Sequence, residues 1–76
     1  MKIGALGEIF PGENRVAMTP DSALALVKLG YSCCIQAGAG AKAGFADALY
    51  TAAGVEMLPD AAAVLAAADV IVKVRG

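Results

Sequence analysis

CCIQAGAGAKAGFAD, residues 33–47, is the stretch on which the reading of this chain turns. Gly38, Gly40 and Ala43 satisfy the spacing G-x-G-x-x-G/A. The strand-like run YSCCIQA enters the stretch and the helix-like run FADALYTAAG leaves it. Asp60 follows about 20 residues after the glycines, where a dinucleotide-binding fingerprint carries its ribose acid. Whatever the glycines do, a strand running through a glycine loop into a helix is a βα unit, and the rest of the chain repeats it.

Toward the N-terminus, MKIGAL is a short apolar run closed by Gly7. GEIFPGENR follows as a loop with Pro11 and Gly12 as its turn residues. In VAMTPDSALALVKLG, Thr19 is a good N-cap, Pro20 fits the first helical position and Asp21 suits the positive end of the dipole. Apolar residues at 23, 26, 27 and 29 form one stripe, Lys28 lies in the last turn and Gly30 stops the helix. Toward the C-terminus, VEML is a strand, Pro59-Asp60 a turn with an N-cap, AAAVLAAA a helix and DVIVKV a fourth strand. The short helix after the glycines opens at Asp47 as a cap and closes at Gly54. Strands alternating with helices imply an α/β fold, a three-layer parallel sheet with βαβ crossovers, half of a flavodoxin- or Rossmann-like domain. A run as apolar as VIVKV belongs in the middle of a sheet covered on both faces. Residues 1–76 are therefore expected to be the N-terminal part of a larger domain.

Composition narrows the function classes. The 76 residues are 59% hydrophobic with a net charge of −1. The mean hydropathy is +0.69 and the pI about 5.0. The six basic residues are scattered, so no nucleic-acid footprint is present. The most apolar segment, 61–72, is cut by Asp69 and falls short of a membrane span. The N-terminus has Lys2 and Glu8 without a sustained apolar run, which is not a secretory signal, so a cytoplasmic protein is expected. There is no His, so no Ser or Cys triad and no metal cluster is expected. Cys33 and Cys34 are neighbours in a strand and point to opposite faces, so they do not suit a disulfide with each other. One of the two thiols is expected to be buried.

The glycine spacing is weighed against its surroundings. The helix after it is only about two turns long, shorter than a dinucleotide-binding unit uses. Lys42 and several small residues separate the glycines from the helix, so its N–H groups are displaced from where a pyrophosphate needs them. Asp60 heads an alanine run, and a helix N-cap explains it without a ribose. The expected role of the loop is a close-packed βα connection, with no cofactor-binding residue in this chain. Tyr31 and Tyr50 are expected to pack rather than to act as acids.

Ligands of open α/β sheets lie at the carboxyl ends of the strands. Arg15, in the first loop, and Lys73, inside the last apolar strand, both reach that edge on this reading. There a guanidinium fork or a compact ammonium pairs with a carboxylate or phosphate. A salt-bridged or snorkelling Lys73, and a solvated Arg15 paired with Glu8 or Glu13, are the alternatives.

The strings MKIGALGE…PGENRVAMTP, LVKLGY, QAGAGAKAGFAD…Y…AAGVE and ADVIVKV, in this order, resemble the start of the alanine dehydrogenase and nicotinamide nucleotide transhydrogenase family across nearly the whole chain. The family usually opens IGIPKE or IGIPRE. Here Ile3 to Glu8 reads IGALGE, without the proline and the basic residue before Glu8. The ending Lys73-Val74-Arg75-Gly76 and the string GEIFPGENRVA look more like the transhydrogenase branch than the dehydrogenase branch. That branch implies hydride transfer between NADH and NADP⁺ coupled to proton translocation. It implies NAD(H) on a later subdomain, NADP(H) on a partner domain or subunit, and membrane-embedded partner subunits. The rest of its own domain and a homodimer are the other partners implied. The dehydrogenase branch implies NAD-dependent oxidative deamination of alanine to pyruvate, with Arg15 and Lys73 matching residues that bind the substrate carboxylate. On either branch the family places its nucleotide site beyond residue 76, so these residues alone are expected to be inactive and to carry no catalytic residue. A non-catalytic interaction module, pairing through an exposed sheet edge, is the reading from a different class.

Overall fold

The computed structural model describes residues 1–7 and 16–73. Strand β1 is Lys2–Ala5, helix α1 Pro20–Lys28 and strand β2 Ser32–Gln36. A 3₁₀ turn at Ala41–Ala43 leads to helix α2, Asp47–Ala52. Strand β3 is Glu56–Leu58, helix α3 Ala61–Ala67 and strand β4 Val70–Val72.

The helices form where the local signals place them. Thr19 is extended, and its Oγ1 accepts the Ser22 N–H at 3.1 Å while the Ser22 Oγ accepts the Thr19 N–H at 2.9 Å. This reciprocal box satisfies two donors that the first turn leaves free. Asp60 caps α3 in the same manner, its Oδ1 accepting the Ala63 N–H at 2.8 Å. Asp47 departs from expectation. The cap of α2 is Ala46, which makes no side-chain bond, and Asp47 is the first helical residue. Its carboxylate instead accepts the Gly38 N–H at 2.9 Å, tying the glycine loop to the start of the helix.

All strand pairs are parallel, in the order β3-β2-β1-β4. Ile3 and Gly4 of β1 lie opposite Cys33 and Cys34 of β2, and Ala5 opposite Val72 of β4. Alternation along the strands then assigns the two faces. Ile3, Ala5, Cys33 and Ile35 join Met18, Ala23, Tyr50 and Val55 in one buried cluster under α1 and α2. Gly4 and Cys34 face the other way, against Val64 of α3 and the adjacent Ala68. A Cβ on Gly4 would lie 2.7 Å from the Ala68 Cβ and 2.8 Å from the Val64 Cγ1. The lack of a side chain at Gly4 is what lets α3 lie close to the centre of the sheet. Helices cover both faces, giving the three-layer α/β fold.

One expectation is corrected, and the place of the last strand is defined. Both thiols are buried, Cys33 3% and Cys34 0% exposed, because β2 is an inner strand with helices over each face. And β4 is an edge strand among the described residues, paired with β1 alone, with Val70 44% exposed. Its apolar character is that of an inner strand, but among the described residues no further strand flanks it.

Candidate functional site at the carboxyl edge of the sheet

The strand order reverses at β1. The chain leaves β1 for β2 and β3 on one side, then α3 crosses the other face and delivers β4 to the opposite side. The carboxyl ends of β1 and β4 therefore flank a topological switch point, where open α/β sheets bind ligands. Leu6 and Gly7 emerge there from β1, Lys73 from β4 and Ala37 from the neighbouring β2.

Lys73 directly follows Val72, which pairs with Ala5, so the structure sets it at this edge with its side chain exposed. Arg15, Glu8 and Glu13 lie outside the described residues. The chain re-enters with Val16 and Met18 buried in the core cluster, just ahead of the Thr19 cap. Two side chains meet the ends of this connection, Gln36, which the sequence did not single out, and Tyr50, expected only to pack. The Gln36 Oε1, at the end of β2, accepts the Gly7 N–H at 2.8 Å. The Tyr50 hydroxyl donates to the Met18 carbonyl at 2.7 Å. Tyr50 is fully buried, and burial, helped by the nearby Asp47 charge, pushes its phenol up, so it stays a neutral donor. The one signal for it in sequence is a tyrosine in a short apolar helix just after a glycine loop, since a buried tyrosine needs a partner for its hydroxyl.

The glycine loop is built for packing. A Cβ on Gly40 would meet the Tyr50 Cε2 and Oη, each at 2.6 Å. Phe45 closes the same corner, its ring edge-on to Tyr50 at 6.4 Å between centroids. The Gly38 amide, which a pyrophosphate would need, is already bonded to the Asp47 carboxylate. An anion would meet that carboxylate before it met the amide. Asp60 is engaged as the cap of α3. Both groups that the fingerprint spacing points to, the Gly38 amide and the Asp60 carboxylate, are engaged within the chain.

Elsewhere the chemistry is sparse. A groove of about 290 Å³ opens at the opposite, amino edge, beside Lys2, Tyr31, Ser32 and Glu56. Its charges are engaged with each other, the Lys2 Nζ and Glu56 Oε1 being 2.7 Å apart. No group of three or more His, Cys, Asp or Glu side chains able to hold a metal occurs among the described residues. No helix among them is long and apolar enough to cross a membrane. Burial pushes both thiols up, so neither is a ready thiolate.

Comparison with known proteins agrees with this architecture. Over its full length the chain is 70% identical to the NAD(P) transhydrogenase subunit alpha of Cereibacter sphaeroides, of which it spans 14%. It is 44% identical over 75 residues to the alanine dehydrogenase of Halomonas elongata, of which it spans 20%. A solved L-alanine dehydrogenase superposes on 96% of the chain with a TM-score of 0.91 at 38% identity, the chain covering 20% of that structure. The chain thus spans a fifth or less of the length of these relatives. The sequence model described as "Alanine dehydrogenase/PNT, N-terminal domain" matches residues 4–76, nearly everything from β1 onward, and the chain belongs to that family.

Proposed function

We propose that this chain is the N-terminal part of a proton-translocating NAD(P) transhydrogenase α subunit. The observation that carries the reading is the 70% identity to a transhydrogenase α subunit across all 76 residues, against 44% to an alanine dehydrogenase. On this reading the parent protein moves hydride between NADH and NADP⁺ and couples the transfer to proton movement. Residues 1–76 are a partial N-terminal subdomain. NAD(H) belongs to a later nucleotide-binding subdomain, in keeping with a glycine loop that Asp47 and Tyr50 already occupy. NADP(H) sits on a partner domain or subunit, and membrane-embedded subunits and a second copy complete the assembly on the cytoplasmic side. Arg15 and Lys73 form an anion-binding pair at the β1/β4 switch point, a role supported by the position of Lys73 after β4.

The test uses the full-length parent. Hydride transfer from NADH to an oxidised NADP analogue is expected, without alanine-dependent NADH formation. The reverse pattern overturns the reading in favour of alanine dehydrogenase, the branch of the solved structure with a TM-score of 0.91. Calorimetric titration of residues 1–76 with NADH is expected to show no binding. Micromolar affinity would return the nucleotide site to the glycine loop. Lys73→Met in the parent is expected to raise KM by roughly tenfold, the loss expected for one charge-assisted bond. An unchanged KM removes Lys73 from the site.

A further inference from the structure

Three strands end side by side at the carboxyl edge, and the register sets which residue follows each. Ile35 of β2 and Val72 of β4 both pair with Ala5 of β1. The next residues are Gln36, Lys73 and Leu6, so Gln36 and Lys73 flank Leu6 in one row across the switch point. Neighbouring strands are about 4.8 Å apart, which sets the two polar residues roughly 10 Å from each other at the backbone. Ala5 and Ile35 belong to the core cluster under α1 and α2. Alternation turns Gln36, the last residue of β2, to the opposite face, with Cys34.

The Gln36 side chain is held in one orientation. Its Oε1 accepts the Gly7 N–H at 2.8 Å. A backbone N–H only donates, so it selects the oxygen end of the side-chain amide and leaves the two Nε2 protons directed away. The Oε1, Cδ and Nε2 lie 3.4, 3.6 and 3.8 Å from where a Cβ on Gly7 would stand. The amide is therefore laid against the backbone that leaves β1, on the side toward Lys73. No acceptor among the described residues takes the Nε2 protons. A strand end in water has no need of an amide anchored in this way. An amide anchored by its oxygen offers two neutral donors in a fixed direction, next to a mobile ammonium.

We propose that Gln36 is a ligand-binding residue of the switch-point site, its Nε2 donating beside the Lys73 ammonium to an oxygen of a carboxylate or phosphate group. One charged and one neutral donor, on either side of Leu6, suit a single anionic group lying over the end of β1. The proposal rests on the anion-binding reading of Lys73 above. The place and orientation of the Gln36 amide do not.

The experiment takes the full-length parent and three variants, Gln36→Leu, Gln36→Glu and Lys73→Met. Each is melted with rising inorganic phosphate or acetate, and dissociation constants are taken from the rise in melting temperature. At least one probe is expected to stabilise the parent, and the tighter one identifies the anionic group. Gln36→Leu removes both the donor and the bond to Gly7, and is expected to weaken that probe about fivefold, as loss of one neutral hydrogen bond does. Gln36→Glu keeps an acceptor for the Gly7 N–H but sets a carboxylate where the donor stood. It is expected to weaken the probe by more than about tenfold while melting, without probe, closer to the parent than Gln36→Leu does. A Gln36 that serves only to hold Gly7 gives the opposite order, with Gln36→Glu binding like the parent. That order, or unchanged binding in both variants, overturns the proposal. If Lys73→Met weakens the probe and Gln36→Glu does not, Gln36 alone is removed from the site. If Lys73→Met leaves binding unchanged, or neither probe stabilises the parent, the anion site falls and the role of Gln36 with it.

Discussion

Gly4 and Gly40 show how much of this fold depends on the absence of a single carbon. At Gly4 an added methyl meets Ala68 and Val64, both on the α3 side of the sheet. At Gly40 it meets the ring and hydroxyl of Tyr50. Neither neighbour has a flexible end that swings aside, so Gly4→Ala and Gly40→Ala are each expected to destabilise by about 1–3 kcal/mol. Urea unfolding of the parent protein and each variant measures this. For Gly4→Ala, a second change of Ala68→Gly is expected to recover part of the loss, because the closest clash is between the two Cβ atoms. A cost below about 0.5 kcal/mol at either position would mean that the helices shift freely over the sheet. The buried thiols make a pH prediction. Burial raises the folded-state pKa of Cys33 and Cys34 above the ordinary 9.0. The protonated form is favoured in the fold, so the contribution to stability is whole below that ordinary value and is lost as pH rises through the folded values. The melting temperature is expected to fall above about pH 9 from this cause, and Cys33→Ala/Cys34→Ala to flatten that alkaline fall. A fall of the same slope in the double variant would assign it to Tyr50 or to the Lys2–Glu56 pair instead.

At the scale of elements, the caps separate what was legible from what was not. Thr19, Pro20 and Asp60 announce their helices because each satisfies a donor, or lacks one, within a few residues of itself, and such pairing is written in local sequence. Asp47 misled for the complementary reason. Its partner, Gly38, lies in the preceding loop, and only the folded path of 38–47 brings the two together. The same holds for Tyr50 and Gln36, whose partners are about 30 residues away and are backbone atoms, which carry no signature of their own. Alternating strands and helices are enough to imply the parallel sheet. The burial of both cysteines needed the sheet order, since only an inner strand is covered on both faces. The Asp60 cap gives a decisive variant. Asp60→Ala is expected to cost about 1 kcal/mol, while Asp60→Asn, which keeps an acceptor oxygen, is expected to be close to neutral. On the proposed function, NADH affinity of the parent is expected to be the same in both. A tenfold loss of affinity in Asp60→Asn would restore the ribose-binding role that the glycine spacing suggests.

For the whole molecule, the element that decides the shape is β4, at the edge of the sheet among the described residues. Its three residues, Val70, Ile71 and Val72, are all β-branched, and an edge strand that meets solvent seldom has this composition. Val70 and, on the α3 side, Leu65 leave large apolar surface uncovered, 44% and 57% exposed. The relatives run five to seven times longer by the 14–20% of their length that this chain spans, so there is ample chain to supply a strand beside β4. Lys73 follows β4 at the same border, so a strand paired there would also form one wall of the switch-point crevice. It follows that residues 1–76 alone are expected to self-associate, or to melt over a broad range, as measured by light scattering across dilution and by circular dichroism. Val70→Lys, which places a charge on the bare edge, is expected to reduce the association of the isolated residues and, on the covered-edge account, to destabilise the parent. A concentration-independent monomer with a sharp cooperative melt would overturn the covered-edge account, because a stable free edge of this composition would need no neighbour.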